Sequence, residues 1–340
     1  MKVSIVGATG YSGLELLRLV SQHPNLELIS LHSLTGKGEL LSETFPLVKE
    51  TGYDLIVEPV DAVRISAIAE IVFLATPAGI AKDLIPLLSS SLQIIDLSGD
   101  FRLEKSENYD NWYGQSAAAQ ALRDEAIYGL SEWEQTALMG ARLIANPGCY
   151  ATAILLALMP LFEKLAMGDV IIDAKSGVSG AGKGLSPATH FMQTHDNLQA
   201  YKINRHQHIP EIEQQLSKVT ESVAPITLTT QLLPIARGLM ATIYFETSAT
   251  NQQLSAIFAT AYQQAPFVRI FAEQLPTIQQ VIGSNYCDIG WHKDERTGRV
   301  TLISVIDNLV KGAAGQAIQN VNISQGWEQT LGLPLLPILI

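Results

Sequence analysis

The spacing of apolar and polar positions divides the chain near its midpoint. In the first half, short apolar runs recur at Val3–Val6, Leu26–Leu31, Ile71–Ala75, Leu92–Leu97 and Arg142–Ala145. Turn signals or helix-length segments such as Leu14–Val20 and Ala78–Ser90 separate them. Short continuous runs of this kind predict parallel strands covered on both faces. Beyond residue 150 the pattern changes. Ala151–Leu158 predicts an apolar helix, and Asn251–Gln264 a second one. Val170–Ser176, Ile226–Leu233, Met240–Phe245, Asp288–His292 and Arg299–Ile306 are rich in β-branched and aromatic residues and predict a mostly antiparallel sheet. Residues 38–65 give no clear period, and 104–135 read as a connecting excursion rather than sheet. The chain is therefore expected to be α/β first and α+β second.

Composition narrows the function classes. The chain has 340 residues, 47% hydrophobic and 16% charged, which supplies a substantial core. A net charge of −11 disfavours nucleic acid as partner, so the expected substrate is a small molecule. The two cysteines, Cys149 and Cys287, form no disulfide framework and show no metal-ligand spacing, which suits a reducing compartment. No run of about 18 apolar residues is present and the sequence starts on a strand, so a cytoplasmic protein is expected and a membrane is not. The oily, proline-broken tail Leu331–Ile340 is expected to pack on the body or on a second subunit.

The first strand runs into Gly7-Ala8-Thr9-Gly10-Tyr11-Ser12-Gly13 and then an apolar helix. That is the setting of a dinucleotide-binding loop: glycines for the tight turn, the backbone approach and the helix–strand packing, with a pyrophosphate at the helix N-terminus. A Rossmann-type domain is thus expected over 1–148 together with 310–340, and a catalytic and oligomerisation domain over 149–309. The second strand, Leu26–Leu31, runs into His32-Ser33-Leu34-Thr35-Gly36-Lys37, which offers hydroxyls such as Ser33 and the lysine Lys37 but no acid to take a ribose 2′-hydroxyl, so NADP is the expected cofactor. Thr76 and Pro77 at the end of the Ile71 strand, Ser179 and Gly180 in a glycine-rich loop, and Asn308 ahead of the last helix are further cofactor candidates. Asn308 stands equally as an N-cap.

Asn146-Pro147-Gly148-Cys149-Tyr150 joins a strand to a helix, which places Cys149 at or near a helix N-terminus, where a thiolate is favoured. A base is sought in Arg205-His206-Gln207-His208-Ile209-Pro210-Glu211. There His208 is expected in a loop just before a helix opened by Pro210, with Glu211 close enough to orient it. Arg102, placed beyond a strand end, is a candidate anion clamp or a loop staple.

Seven motifs spanning nearly the whole chain in one order resemble the N-acetyl-gamma-glutamyl-phosphate reductases of arginine biosynthesis. They are Gly7–Gly13, Asp96–Arg102, Asn146–Tyr150, Ser176–Gly182, His206–Ile212, Leu232–Gly238 and Asp307–Asn320. The glycine loop is shared with aspartate-semialdehyde dehydrogenases. The chain departs from the family pattern at Ser131 and Ala151, where proline is usual, and at Gln207, where arginine is usual. The resemblance implies a glyceraldehyde-phosphate-dehydrogenase-like second domain and a cytoplasmic homodimer or homotetramer. It implies NADPH-dependent reduction of an acyl phosphate through a Cys149 thioester, with His208 as acid/base. Arg102, Asn146, Arg205, Glu211 and Arg237 are then the candidate substrate contacts. An aspartate-semialdehyde dehydrogenase and a non-catalytic NADPH-binding regulator are the competing expectations.

Overall fold

The computed structural model describes residues 1–220, 225–272 and 274–338. Its longer helices are α1 (Tyr11–Val20), α2 (Cys149–Lys164), α3 (His208–Leu216), α4 (Asn251–Tyr262) and α5 (Gly315–Ser324). The chain forms two compact units, Met1–Pro147 with Ala313–Leu333, and Gly148–Gly312 with the residues from Pro334 onward.

The first unit carries β1 (Lys2–Val6), β2 (Glu27–Ser33), β3 (Glu39–Leu40), β4 (Ile56–Pro59), β5 (Ile71–Leu74), β6 (Gln93–Asp96), β7 (Ile127–Tyr128) and β8 (Leu143–Ala145). They form one sheet in the order β3-β4-β2-β1-β5-β6-β8-β7. Among the described residues every pairing is parallel except β3 with β4. Val6, Val72, Leu74, Ile94 and Leu143 pack with Leu84, Ile85 and Phe101 in the core. Val6 pairs with Leu74, Leu74 with Asp96, and Asp96 with Ala145, so four strands end level. Their C-terminal loops, starting at Gly7, Ala75, Leu97 and Asn146, therefore open along one edge, where doubly wound sheets bind ligands.

Several local expectations are corrected here. The segment 78–90 is helical only over Ala81–Leu84 and then a 3₁₀ turn at Ile85–Leu87, because Pro86 has no N–H to continue a helix. Residues 38–65 resolve into β3, β4 and the start of a helix at Ala62, whose N-cap Asp61 accepts from the Val63 and Arg64 amides. The excursion 104–135 contains two short helices and the edge strand β7, so part of it does join the sheet. Ser131, at a position where proline is usual, donates its hydroxyl to Asn320 Oδ1 at 2.7 Å.

The second unit carries β9 (Ile171–Gly177), β10 (Gln199–Tyr201), β11 (Thr227–Leu233), β12 (Leu239–Glu246), β13 (Val268–Ala272), β14 (Cys287–Asp294) and β15 (Arg299–Ile306). Their order is β10-β11-β9-β12-β15-β14-β13. Pairing is antiparallel except for β9 with β11 and β13 with β14. The outermost strands, β10 and β13, are short; β10 has no apolar run, and the apolar stretch of β13 is broken by Arg269. Helix α2 is buried from Tyr150 to Phe162 and packs on β12, β14, β15, α3 and α4. Pro160 lies within it and leaves the Leu156 carbonyl without its helical donor; the Tyr262 hydroxyl of α4 donates there instead. From Pro334 the apolar tail packs on this unit: Pro334 O accepts from the Asn285 amide and the Ile338 amide donates to Ile282 O. It had been expected with the first domain, as had Val310–Gly312; Leu339 and Ile340 lie outside the described residues.

In the first unit, burial and the nearby Asp100 push the Asp96 carboxyl up to about 7, against the opposing pull of the Ser98 hydrogen bonds and Arg102. A carboxyl that folding keeps protonated stabilises fully below its unfolded value and loses that contribution as pH rises toward the folded one. Wild-type stability is therefore expected to fall between about pH 4 and pH 7. Asp96→Asn flattens that slope and exceeds wild type at pH 8, checked by urea unfolding across the range.

Candidate active site

Gly148 caps α2 with extended backbone and no side-chain cap, and Cys149 is the first residue of the helix, half-buried. That is the helix end where the first amides of α2 have no carbonyl partners within the helix and the dipole is positive, the setting that favours a thiolate.

His208 is the first residue of α3, not a loop residue before it; Pro210 occupies the first turn, where a missing N–H costs no helical bond. A Cβ placed on Gly148 would lie 2.3 Å from His208 Nε2, so the imidazole edge rests directly on the backbone beside Cys149. The neighbouring His206 accepts from the His208 amide through Nδ1 at 3.2 Å, and the two rings meet edge-on at 4.6 Å. Glu211, expected at the substrate or the imidazole, instead accepts from the Gly148 amide at 2.8 Å.

Tyr150 and Tyr201 close another side. Their hydroxyls are 3.2 Å apart, and both rings stand edge-on to His206. Burial pushes the Tyr150 hydroxyl far above its usual range, and Tyr201 and Cys149 push the same way. Burial likewise takes Tyr201 up to about 12, with Cys149 adding to it. Both phenols stay protonated, within electrostatic reach of the sulfur. Neither tyrosine nor His206 was anticipated from the sequence, although Tyr150 and His206 sit inside the motifs that carried the prediction.

Gly312 lies against the nucleophile: a Cβ there would come within 2.7 Å of the Cys149 Cβ. Asn308 is neither an N-cap nor an open amide. Its Oδ1 accepts from the Gly238 amide at 2.7 Å and its Nδ2 donates to Ser179 Oγ at 2.9 Å. Asp307 caps the turn instead, accepting from the Leu309 and Val310 amides. The glycine-rich Ser179–Gly180 segment is a 3₁₀ turn pinned by backbone bonds from Gly177, Val178 and Ser179 to Gly238, Ile235 and Ala236.

The candidate arginines separate into two kinds. Arg102 is buried and donates to the carbonyls of Asn146 and Leu97, so the staple reading describes it better than the clamp. Asn146 donates to Ala313 O and accepts from Asn320 within the first unit. Arg237 pairs with the buried Asp307 at 3.1 Å. Arg205 is exposed, three positions before His208; its amide donates to Lys202 O, and its guanidinium has no hydrogen-bond or ion-pair partner among the described residues. Gln207, where arginine is usual, accepts from Lys202 at 2.8 Å.

In the first unit the glycine loop fits a dinucleotide. A Cβ on Gly7, at φ +88°, would strike Ala75 O at 2.2 Å, and one on Gly13 would strike Gly7 O at 2.2 Å. Gly10 caps α1 without a side-chain bond, and its Cβ would meet only Gly7 O at 3.4 Å, leaving the amides that follow open to an anion. Thr9 Oγ1 stands 3.4 Å from Ser33 Oγ, joining the loop to the end of β2, while Tyr11 is partly exposed. Thr76 Oγ1 is buried at the end of β5 with no hydrogen-bond partner among the described residues, and Pro77 beside it is exposed. Lys37 is exposed and has no ion-pair partner among the described residues.

Gly148 has backbone angles open to any residue, so the effect of Gly148→Ala comes from the collision with His208 alone. We expect alkylation of Cys149 by iodoacetamide at neutral pH to slow by about tenfold, with the thermal midpoint within a few degrees of wild type. Mass spectrometry and a thermal melt check both.

Two family models cover the chain: "Semialdehyde dehydrogenase, NAD binding domain" over residues 2–141 and "Semialdehyde dehydrogenase, dimerisation domain" over 149–308. Proteins called N-acetyl-gamma-glutamyl-phosphate reductase from Bacillus cereus and Bacillus anthracis are each 50% identical to it over 100% of both chains. A probable aspartate-semialdehyde dehydrogenase from Pseudomonas aeruginosa shares the fold at TM-score 0.71 and 20% identity, over 95% of this chain and 98% of that one. A nucleophile turn, a histidine helix and a dinucleotide loop thus lie within a full-length match at half identity, and the chain belongs to the N-acetyl-gamma-glutamyl-phosphate reductase family, built from the two semialdehyde dehydrogenase domains.

Proposed function

We propose that the protein reduces N-acetyl-L-glutamyl 5-phosphate to N-acetyl-L-glutamate 5-semialdehyde and inorganic phosphate, in arginine biosynthesis, with NADPH as cofactor. The observation that carries the chemistry is Cys149 at the first position of α2 with the His208 ring against Gly148. The substrate follows the full-length relatives of that name.

Cys149, as thiolate, attacks the acyl-phosphate carbonyl. The carbon–oxygen bond to phosphate breaks with its electron pair on the phosphate, leaving a thioester on the sulfur. Unlike a carboxylate, a thioester is an electrophile that hydride reduces. NADPH, when bound, supplies that hydride. His208 protonates the hemithioacetal oxygen and takes the proton back as the carbon–sulfur bond breaks and the aldehyde leaves. Tyr150 and Tyr201, held neutral, add hydroxyl dipoles near the sulfur without competing for its negative charge. Arg205, with its charge uncommitted, is the residue of this unit best placed in chemistry to meet an anionic substrate.

For the cofactor, Gly7, Gly10 and Gly13 would shape the loop, the amides of Tyr11 and Ser12 at the start of α1 would hold the pyrophosphate, and Ser33 and Lys37 would meet the 2′-phosphate. Thr76 supplies an unused hydroxyl. The dimerisation domain supports self-association, and a homodimer or homotetramer is part of this proposal. No described helix is long and apolar enough to cross a membrane, and a biosynthetic role with two cysteines not joined in a disulfide fits the cytoplasm.

The test runs the reaction backward: phosphate-dependent reduction of NADP by N-acetylglutamate semialdehyde, with aspartate semialdehyde beside it. Wild type is expected to act on the acetylated substrate, and Cys149→Ser to lose roughly 10⁴-fold or more. Activity on aspartate semialdehyde alone would reassign the substrate, and NADPH binding with no turnover would make the protein a regulator. In the same protein Lys37→Ala is expected to weaken NADPH by about tenfold and leave NADH unchanged, read by fluorescence titration.

A further inference from the structure

Both chemical groups of the second unit stand at helix starts, Cys149 on α2 and His208 on α3. One residue touches both arrangements. Glu211 lies three residues after His208, on the same face of α3, and its side chain is fully buried. Its Oε1 accepts from the Gly148 amide at 2.8 Å, immediately before the nucleophile. From the same turn of α3, His208 Nε2 presses on the Gly148 Cα, where a Cβ would have to go. Gly148 is therefore gripped at its nitrogen by Glu211 and at its carbon by His208.

We propose that Glu211 is a positioning residue for the proposed reaction: by holding the Gly148 amide it fixes Cys149, on α2, at a set distance from the His208 imidazole, on α3. The inference rests on the catalytic reading above. Three features favour this role over substrate binding. The carboxylate is closed off from solvent, an anionic substrate gains nothing from a buried carboxylate, and one oxygen is committed to the backbone. The arrangement suits a carboxylate for a second reason. It lies in the first turn of α3 and beside the start of α2, so two positive helix ends face it.

The experiment compares Glu211→Gln, which keeps an oxygen acceptor at the same reach, with Glu211→Ala, which leaves the amide buried and unpaired. Three quantities are read on the full-length protein: kcat and KM in the reverse reaction, and the rate of Cys149 alkylation by iodoacetamide without substrate. Glu211→Ala is expected to lose about 100-fold in kcat with KM within about twofold, and about tenfold in alkylation, while Glu211→Gln loses no more than roughly threefold in either. Where Glu211→Ala does not fold, Glu211→Asp, one methylene short of the amide, is expected to reproduce its losses. Equal losses in Glu211→Gln and Glu211→Ala would overturn the proposal, as would a rise in KM at constant kcat or no change in any quantity. A wild type inactive on the semialdehyde would defeat the catalytic reading alone, because the alkylation rates still decide the role of Glu211.

Discussion

Two helices begin against each other, and their positive ends converge on a few atoms around Gly148. That convergence is electrostatically unfavourable unless negative charge is placed in it. Cys149 and Glu211 are the two groups able to supply it, one as a reactive anion and one as a buried constant. Much of the second unit holds this pair of helix ends in place. The sheet carries α2 across β12, β14 and β15, and the Tyr262 hydroxyl keeps α2 satisfied past Pro160. The turn after β9 is pinned through Ser179 to Asn308, and Asn308 in turn to Gly238.

What the sequence conveyed best were features whose physics is local. A proline and a glycine between an apolar strand and an apolar helix put Cys149 at a helix start, and the structure has it as the first residue of α2. The glycine loop was legible for the same reason, since Gly7 and Gly13 answer to a turn and a close packing a few residues away. Partners distant in sequence were not legible. Arg102, Arg237 and Asn308 carry the residue types that bind ligands, and each is committed to groups within its own unit. Residue type gives what a side chain is able to bind, while only the fold gives what stands beside it. His208 lies in α3 rather than ahead of it because Pro210, a residue that also opens helices, sits here inside the first turn. The strands β10 and β13 lie at sheet edges; β10 carries little apolar pattern to detect, and β13 is a short apolar stretch broken by Arg269.

The departures from the family pattern are absorbed locally. Ser131 gains a hydrogen bond to Asn320, and Asn320 also donates to Gly129 O and to Asn146, so the altered position joins an existing network. Gln207 finds Lys202 rather than the reaction centre, which leaves Arg205 as the uncommitted charge in that segment.

Two of the walls around the nucleophile are residues without side chains, Gly148 and Gly312. An inhibitor that alkylates Cys149 and fills the space up to those walls meets main chain, which no substitution is able to withdraw. Resistance through either glycine is therefore confined to adding bulk. At one position added bulk presses on His208, and at the other on the cysteine itself. The routes of escape from such a compound run through the residues the chemistry most needs to keep still.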